Sequence, residues 1–289
     1  MQPNVNHPHS FATISLSLFF LFCFPVLLLQ GCATVDESVE PTEKEIYESA
    51  SRALKSHNFN EASRQLELLE SRYPFGRHAE QAQLDLIYAR FSSLDIDGAL
   101  IAADRFIRLH PDSEHVDYAY YIRGVANFNY DQGLSARWFS IDQASRDPGR
   151  MRESYNDFRQ LVTRFPDSDY AADSRQRMIA IRNRLADHEL GVIRYYILRE
   201  AYIAAVNRCR YVVDTFPNTP ATEEALILMV ELYRQLGQKQ FASDALVILA
   251  ANYPDSKAFD KNMKFRSNRV MRKDRSLTRL LDFDMFDGF

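Results

Sequence analysis

Apolar and small residues recur along this chain in a frame that closes on a proline. Pro74, Pro111, Pro166, Pro217 and Pro254 are each preceded by a ring: Tyr73, His110, Phe165, Phe216 and Tyr253. Five residues before each proline stands an apolar residue (Leu69, Phe106, Leu161, Val212, Leu249), and twelve before it a small one (Ala62, Ala99, Ser154, Ala205, Ala242). Spacings of this kind put the apolar series on one helical face, and the small residue lets a neighbouring helix come close. Proline lacks an N–H and has a fixed φ, so it ends the helix. Five copies make a helical repeat, in which each proline-closed helix follows a partner. The pattern predicts partners at 43–56 and 77–92 and closing helices at 59–73 and 96–109. Thr42 with Glu45 has the form of a capping box. After the prolines, Asp112-Ser113, Asp167-Ser168, Asn218-Thr219 and Asp255-Ser256 supply N-cap residue types for the next helix, and Phe75-Gly76 alone departs from this. Pro220 suits a first helical position. The predicted fold is all-α, a solenoid of five helix pairs over residues 42–253, with repeats at about 42–75, 76–112, 113–167, 168–218 and 219–254.

Two repeats are stretched. Successive prolines lie 37, 55, 51 and 37 residues apart. The third repeat gains a segment at about 131–149 with Gly133, Pro148 and Gly149, expected to be a loop between its two helices, and it carries Trp138. The fourth gains about four helical turns without a proline. Met178, Ile181, Leu185, His188, Val192 and Tyr195 continue the apolar stripe, which predicts one helix over about 168–198. Its end, Arg194-Tyr195-Tyr196-Ile197-Leu198-Arg199, is expected to overhang its neighbours, either as an aromatic and basic docking stripe or packed on itself. Beyond Pro254 the frame stops. Residues 257–289 hold nine Lys/Arg against five Asp, and residues 255–289 are expected to form a flexible basic tail.

Composition narrows the function. The chain has 289 residues, 46% hydrophobic and 26% charged, with nine glycines and a net charge of −4, which argues against a general nucleic-acid binder. His57, His78, His110, His115 and His188 are scattered, with no HExxH and no Cys/His ligand spacing. No phosphate loop or nucleophile elbow is present, so the reading is non-enzymatic, without metal or cofactor. Cys209 occupies an apolar slot of the fourth repeat and reads as a small buried hydrophobe. At the other end, residues 11–29 are almost continuously apolar and lead into Leu29-Gln30-Gly31-Cys32. This resembles a bacterial lipoprotein signal, which implies a signal peptide at 1–31, cleavage after Gly31 and N-acyl and S-diacylglycerol lipid on Cys32. Residues 32–41 then form a lipidated tether. The alternative, a membrane anchor, is weakened by Pro25 and the modest length of the run. The signal departs from the usual form in that its first lysine or arginine is Lys44. Ala33, rather than aspartate, follows the cysteine, which by the same resemblance implies the outer membrane.

The twelve-residue interval and its ring-proline end resemble the second helix of a tetratricopeptide repeat, a solenoid unit that binds peptides in a groove. A closer resemblance is to the BamD (ComL) lipoprotein family. It rests on Arg72-Tyr73-Pro74-Phe75-Gly76, Leu84-Asp85-Leu86-Ile87-Tyr88-Ala89, Asp104-Arg105-Phe106-Ile107-Arg108-Leu109, Tyr121-Ile122-Arg123-Gly124, Arg146-Asp147-Pro148, Tyr195-Tyr196 and Asn207-Arg208. It runs from about residue 46 to 253, both insertions included. It implies a lipid-tethered scaffold on the periplasmic face of the outer membrane of a Gram-negative bacterium, within the β-barrel assembly (Bam) machine. The implied partners are the POTRA domains of BamA, BamC- and BamE-like lipoproteins, and unfolded outer-membrane proteins. By that resemblance Arg208, Asn207, Tyr195, Tyr196 and Arg199 face BamA, and Tyr73, Phe75, Arg105 and Arg108 line the client groove. A different envelope repeat-lipoprotein adaptor shares the same address and fold and differs in its partner.

Overall fold

A computed structural model describes residues 40–130, 148–267 and 270. Residues 1–42 separate from the rest as a unit of their own, of which only 40–42 are described, without regular structure. Cys32 and its tether, most of the 131–149 insertion with Trp138, and residues 271–289 lie outside the described residues.

Ten helices are found among the described residues. They are α1 Glu43–Lys55, α2 Phe59–Arg72, α3 Ala79–Ser92, α4 Ile96–Leu109, α5 Val116–Asn129, α6 Gly149–Arg164, α7 Ala171–Leu198, α8 Tyr202–Thr215, α9 Pro220–Gln235 and α10 Lys239–Asn252. Each packs on the next, and first helices also touch across repeats, α3 on α5 and α7 on α9. The result is the expected all-α solenoid of paired helices. No described helix is long and apolar enough to cross a membrane.

The frame positions are the core. Ala62, Ala99, Ser154 and Ala205 are fully buried, as are Leu69, Phe106, Leu161, Val212 and Leu249, while Ala242 is nearly so. Burying each large apolar side chain contributes about 1.5–3 kcal/mol. The rings before the prolines share one backbone conformation, φ −119 to −135° and ψ 47 to 65°, and each still donates its N–H to the carbonyl four residues back. In repeat three, α5 and α6 approach closely. The Ser154 hydroxyl donates to the Gly124 carbonyl at 2.8 Å, and a Cβ on Gly124 would sit 2.7 Å from the Phe158 ring.

The turns inside four repeats are also alike. His57, Leu94, Glu200 and Gly237 have positive φ, and the residue after each donates its N–H five residues back (Asn58 to Ala53, Asp95 to Arg90, Ala201 to Tyr196, Gln238 to Tyr233). That is the Schellman end of a helix, normally filled by glycine and here so filled once.

Three first helices begin two or three residues later than expected, α3 at Ala79, α5 at Val116 and α7 at Ala171, whereas α9 begins at Pro220 behind Thr219 as expected. His78, His115 and Tyr170 occupy the N-cap positions without a side-chain cap bond. Ser113 and Ser168 instead cap a preceding turn, accepting from the N–H of His115 and Tyr170 at 3.1 and 3.2 Å. Their hydroxyls donate in turn to Glu80 and Asp117, in the first turn of the preceding first helix, both at 2.6 Å. Gly76 has no hydroxyl, and there Glu43 accepts the His78 N–H directly at 2.6 Å. The one departure from the capping pattern is therefore filled by a carboxylate from α1.

The long helix α7 has 28 residues, twice the 14 of α3 and α5. Its C-terminal end, expected to overhang, is partly covered by the next repeat, while Tyr195 and Arg199 stay exposed. Ile193 is fully buried, Tyr196 and Ile197 pack against the core, and Arg194 pairs with Glu224 of α9 at 2.9 Å. The flexible tail also needs correction over 255–267. Ala258 and Phe265 are buried, Phe259 and Phe265 form an antiparallel bridge, and the buried Glu231 of α9 accepts from the Ser267 hydroxyl and the Val270 N–H.

Candidate functional site

The residues expected to face BamA fall into two groups. At the end of α7, Tyr195 is about half exposed and meets Tyr196 edge to face at 5.8 Å, with the Arg199 guanidinium 5.4 Å from its ring. Two turns into α8, Arg208 places Nη1 3.2 Å from Oε2 of Glu189, a carboxylate of α7 that is only 3% exposed. Arg152 of α6 reaches the other oxygen of Glu189 at 3.8 Å. Arg208 keeps 44% of its side chain exposed and lies 5.9 Å from the Tyr211 ring, and Asn207 beside it is exposed. Among the described residues no hydrogen bond or ring contact joins the two groups. Arg208 thus has two faces. One neutralises a buried carboxylate and ties α8 to α7, and the other is open to a partner.

The four residues expected in the client groove lie on second helices and on the turn after α2. Tyr73 ends α2 and packs against the first core cluster, whereas Phe75 is 98% exposed. Arg105 pairs with Glu70 of α2 at 3.1 Å. Arg108 is 3.9 Å from Asp104, whose closer partner is Arg123. Arg123 also grips the buried Asp157 of α6 at 2.6 and 2.9 Å, and Asn127 donates to the same carboxylate at 3.0 Å. Burial pushes the Asp157 carboxyl up, and the guanidinium beside it opposes that shift.

A cleft of about 250 Å³ lies elsewhere, on the layer of first helices. Gln81, Leu84, Asp85 and Tyr88 of α3, His115 and Tyr118 at the start of α5, and Tyr170 before α7 line it. Asp85 accepts from the Tyr47 hydroxyl at 3.3 Å and from the Gln81 amide at 2.9 Å. Burial lifts its carboxyl above the ordinary range, and these two hydrogen bonds pull it back down. Burial raises the Tyr118 phenol strongly, helped by Tyr170, Asp85 and Tyr88 nearby. Sequence reasoning passed over this cleft because its residues lie off the core frame. The available signal was the tyrosine that recurs on or just before the first helices, Tyr47, Tyr88, Tyr118 and Tyr170. Among the described residues no group of three His, Cys, Asp or Glu is placed to hold a metal ion.

Comparisons with known proteins give the family. The family model described as YfiO, outer membrane lipoprotein, matches residues 39–249. An outer membrane protein assembly factor BamD from Neisseria meningitidis is 42% identical over 237 residues, covering 80% of this chain and 89% of that protein. A protein of the same description from Vibrio cholerae is 40% identical over 211 residues, 73% of this chain and 88% of that one. A solved tetratricopeptide repeat protein from Parabacteroides merdae is 12% identical over 72% of this chain and 79% of the other, with a TM-score of 0.35. The family match spans every helix pair but the last few residues of α10, and it takes in Arg208, Phe75 and the tyrosine-lined cleft alike. The chain belongs to the BamD family of outer-membrane lipoproteins.

Proposed function

We propose that this protein is a non-enzymatic scaffold of outer-membrane β-barrel assembly, tethered by lipid on Cys32 to the periplasmic face of the membrane. Its C-terminal repeats dock on the POTRA region of a BamA-type insertase through Arg208 and Asn207, with the Tyr195, Tyr196 and Arg199 cluster alongside. BamC- and BamE-like lipoproteins complete the assembly, and the N-terminal repeats take up unfolded outer-membrane proteins, with Tyr73, Phe75, Arg105 and Arg108 contributing. The observation that carries this reading is the double face of Arg208. A guanidinium anchored from behind by a buried carboxylate is pre-oriented, so a partner carboxylate engages it with little further loss of side-chain entropy.

The test is capture of the full chain, solubilised in detergent, by a BamA periplasmic fragment. Association in the micromolar range or tighter is expected, and its absence from a folded protein overturns the reading. The choice of variant matters. Arg208→Glu would set a second carboxylate against buried Glu189 and disturb the fold as well as the interface. Arg208→Gln paired with Glu189→Gln removes both charges together, so the melting temperature should stay within a few degrees while association falls at least tenfold. Unchanged association in that pair removes Arg208 from the interface.

A further inference from the structure

The cleft between α3, α5 and the start of α7 contains an anionic group with no cation to match it. Asp85 is held by two neutral donors, the Tyr47 hydroxyl and the Gln81 amide. Among the described residues no lysine or arginine forms an ion pair with it. Asp85 is half-buried, so its charge is partly desolvated, and the chain's fully buried carboxylates each have a counter-charge: Asp157 has Arg123, and Glu189 has Arg208 and Arg152. The other walls are aromatic. Tyr118 and Tyr170 lie 5.8 Å apart between ring centroids, Tyr88 stands at the rim 42% exposed, and His115 lies beside Tyr118. A carboxylate at the base of a ring-lined recess matches an ammonium or guanidinium group, through charge and through the π density of the rings. The volume admits one long side chain and excludes a folded partner. Three consecutive first helices form the walls, so an extended chain crossing that layer would present its side chain to the recess.

We propose that this cleft is a specificity pocket for a basic side chain, lysine or arginine, of an extended polypeptide. Asp85 is the counter-charge, and Tyr88, Tyr118 and Tyr170 are the ring walls. The inference rests on the client-binding part of the proposed function and adds the class of side chain recognised and where it is read.

The probe is a capped, fluorescently labelled heptapeptide, Ser-Tyr-Ser-Arg-Ser-Tyr-Ser, compared with the same peptide carrying citrulline, which keeps the shape of arginine without its charge. Anisotropy with the full chain in detergent is expected to show the arginine peptide binding about tenfold more tightly, one charge-assisted contact at about 1.4 kcal/mol. Asp85→Asn retains hydrogen-bonding capacity toward Tyr47 and Gln81 and should abolish that preference with its melting temperature preserved. Tyr88→Leu, at the exposed rim, should weaken the arginine peptide about threefold. Capped single-residue arginine should bind at least tenfold more weakly than the peptide, and equal affinity would make the ligand a small cation and overturn the polypeptide assignment. Equal binding of the arginine and citrulline peptides overturns the cation pocket while leaving client binding intact. Preference for arginine that persists in Asp85→Asn overturns the role of Asp85, and failure of both peptides to bind overturns the pocket and the client-binding reading together.

Discussion

Ser154 shows what the small residue of the repeat frame is for. Its side chain fits against α5 because Gly124 opposite has none, and its hydroxyl satisfies the Gly124 carbonyl at 2.8 Å. A methyl group at Gly124 would press on the fully buried Phe158 ring, whose neighbours leave it nowhere to move. Gly124→Ala is therefore expected to cost about 1–3 kcal/mol in chemical denaturation, and a neutral result would mean that α5 and α6 can separate freely. Cys209 illustrates the opposite kind of site, one inert by design. It is fully buried, and burial pushes its thiol far up, so almost no thiolate exists at neutral pH. Iodoacetamide should leave Cys209 unmodified in the folded chain and label it in denaturant, as read by peptide mass mapping. Its burial was legible from its slot in the frame. The tie between Arg208 and Glu189 was not, because two residues 19 apart on different helices leave no periodic trace.

At the level of elements, the second helices were readable because their signals are local: a small residue, an apolar stripe, a ring and a proline. The starts of α5 and α7 lie two or three residues beyond the expected caps because serine is a cap residue in two different turns, while α9 starts at Pro220 as expected. In this chain the serine hydroxyl serves the turn before the helix while bonding an acidic residue of the previous repeat. Only the fold brings that acidic residue near. The corner shared by four of the repeats offers a sharper test. Leu94 holds φ +65° with its side chain 78% exposed, a conformation that costs a non-glycine residue about 1 kcal/mol. Leu94→Gly relieves this strain at the expense of a freer unfolded chain. The expected net is a gain of up to about 0.5 kcal/mol in thermal denaturation, where a typical exposed Leu→Gly change would destabilise. A loss of 1 kcal/mol or more would show that the leucine makes a contact worth more than its strain.

For the whole molecule, the 28-residue α7, about 42 Å long, matters most. Repeat arrays usually couple nearest neighbours only, so the two ends of an array can loosen separately. Here one long element is packed by α6, α8 and α9, with α6 and α8 both reaching Glu189. The doubled length was readable from an uninterrupted apolar stripe. Its covered end was not, because the partner residues, Glu224 among them, come from the next repeat. Beyond α10 the basic composition suggested a free tail, but composition is silent on single anchors such as Phe265, which packs beneath the Arg234 guanidinium at 4.7 Å. Phe265→Ala should raise hydrogen exchange at Phe259 and Arg266 at least tenfold while leaving α1 to α6 protected. Unchanged exchange would mean that the bridge holds without its ring.

That short segment also covers the last helix pair among the described residues. After Pro254 the backbone turns as it does between earlier repeats: Ser256 donates to the Tyr253 carbonyl and Phe259 to the Ser256 carbonyl, as Ser168 and Ala171 do before α7. A sixth repeat is begun and then abandoned, and the chain doubles back at Asp260, whose carboxylate gathers the N–H groups of Asn262 and Lys264. Ala258, Phe265 and Ser267 settle on α9, where the first helix of another repeat would have stacked. A stack of similar units has no internal reason to stop, and its last unit offers a sticky face to any copy of itself. By laying its own chain across that face, the protein covers with a short irregular strap what elsewhere in the stack is covered by a helix.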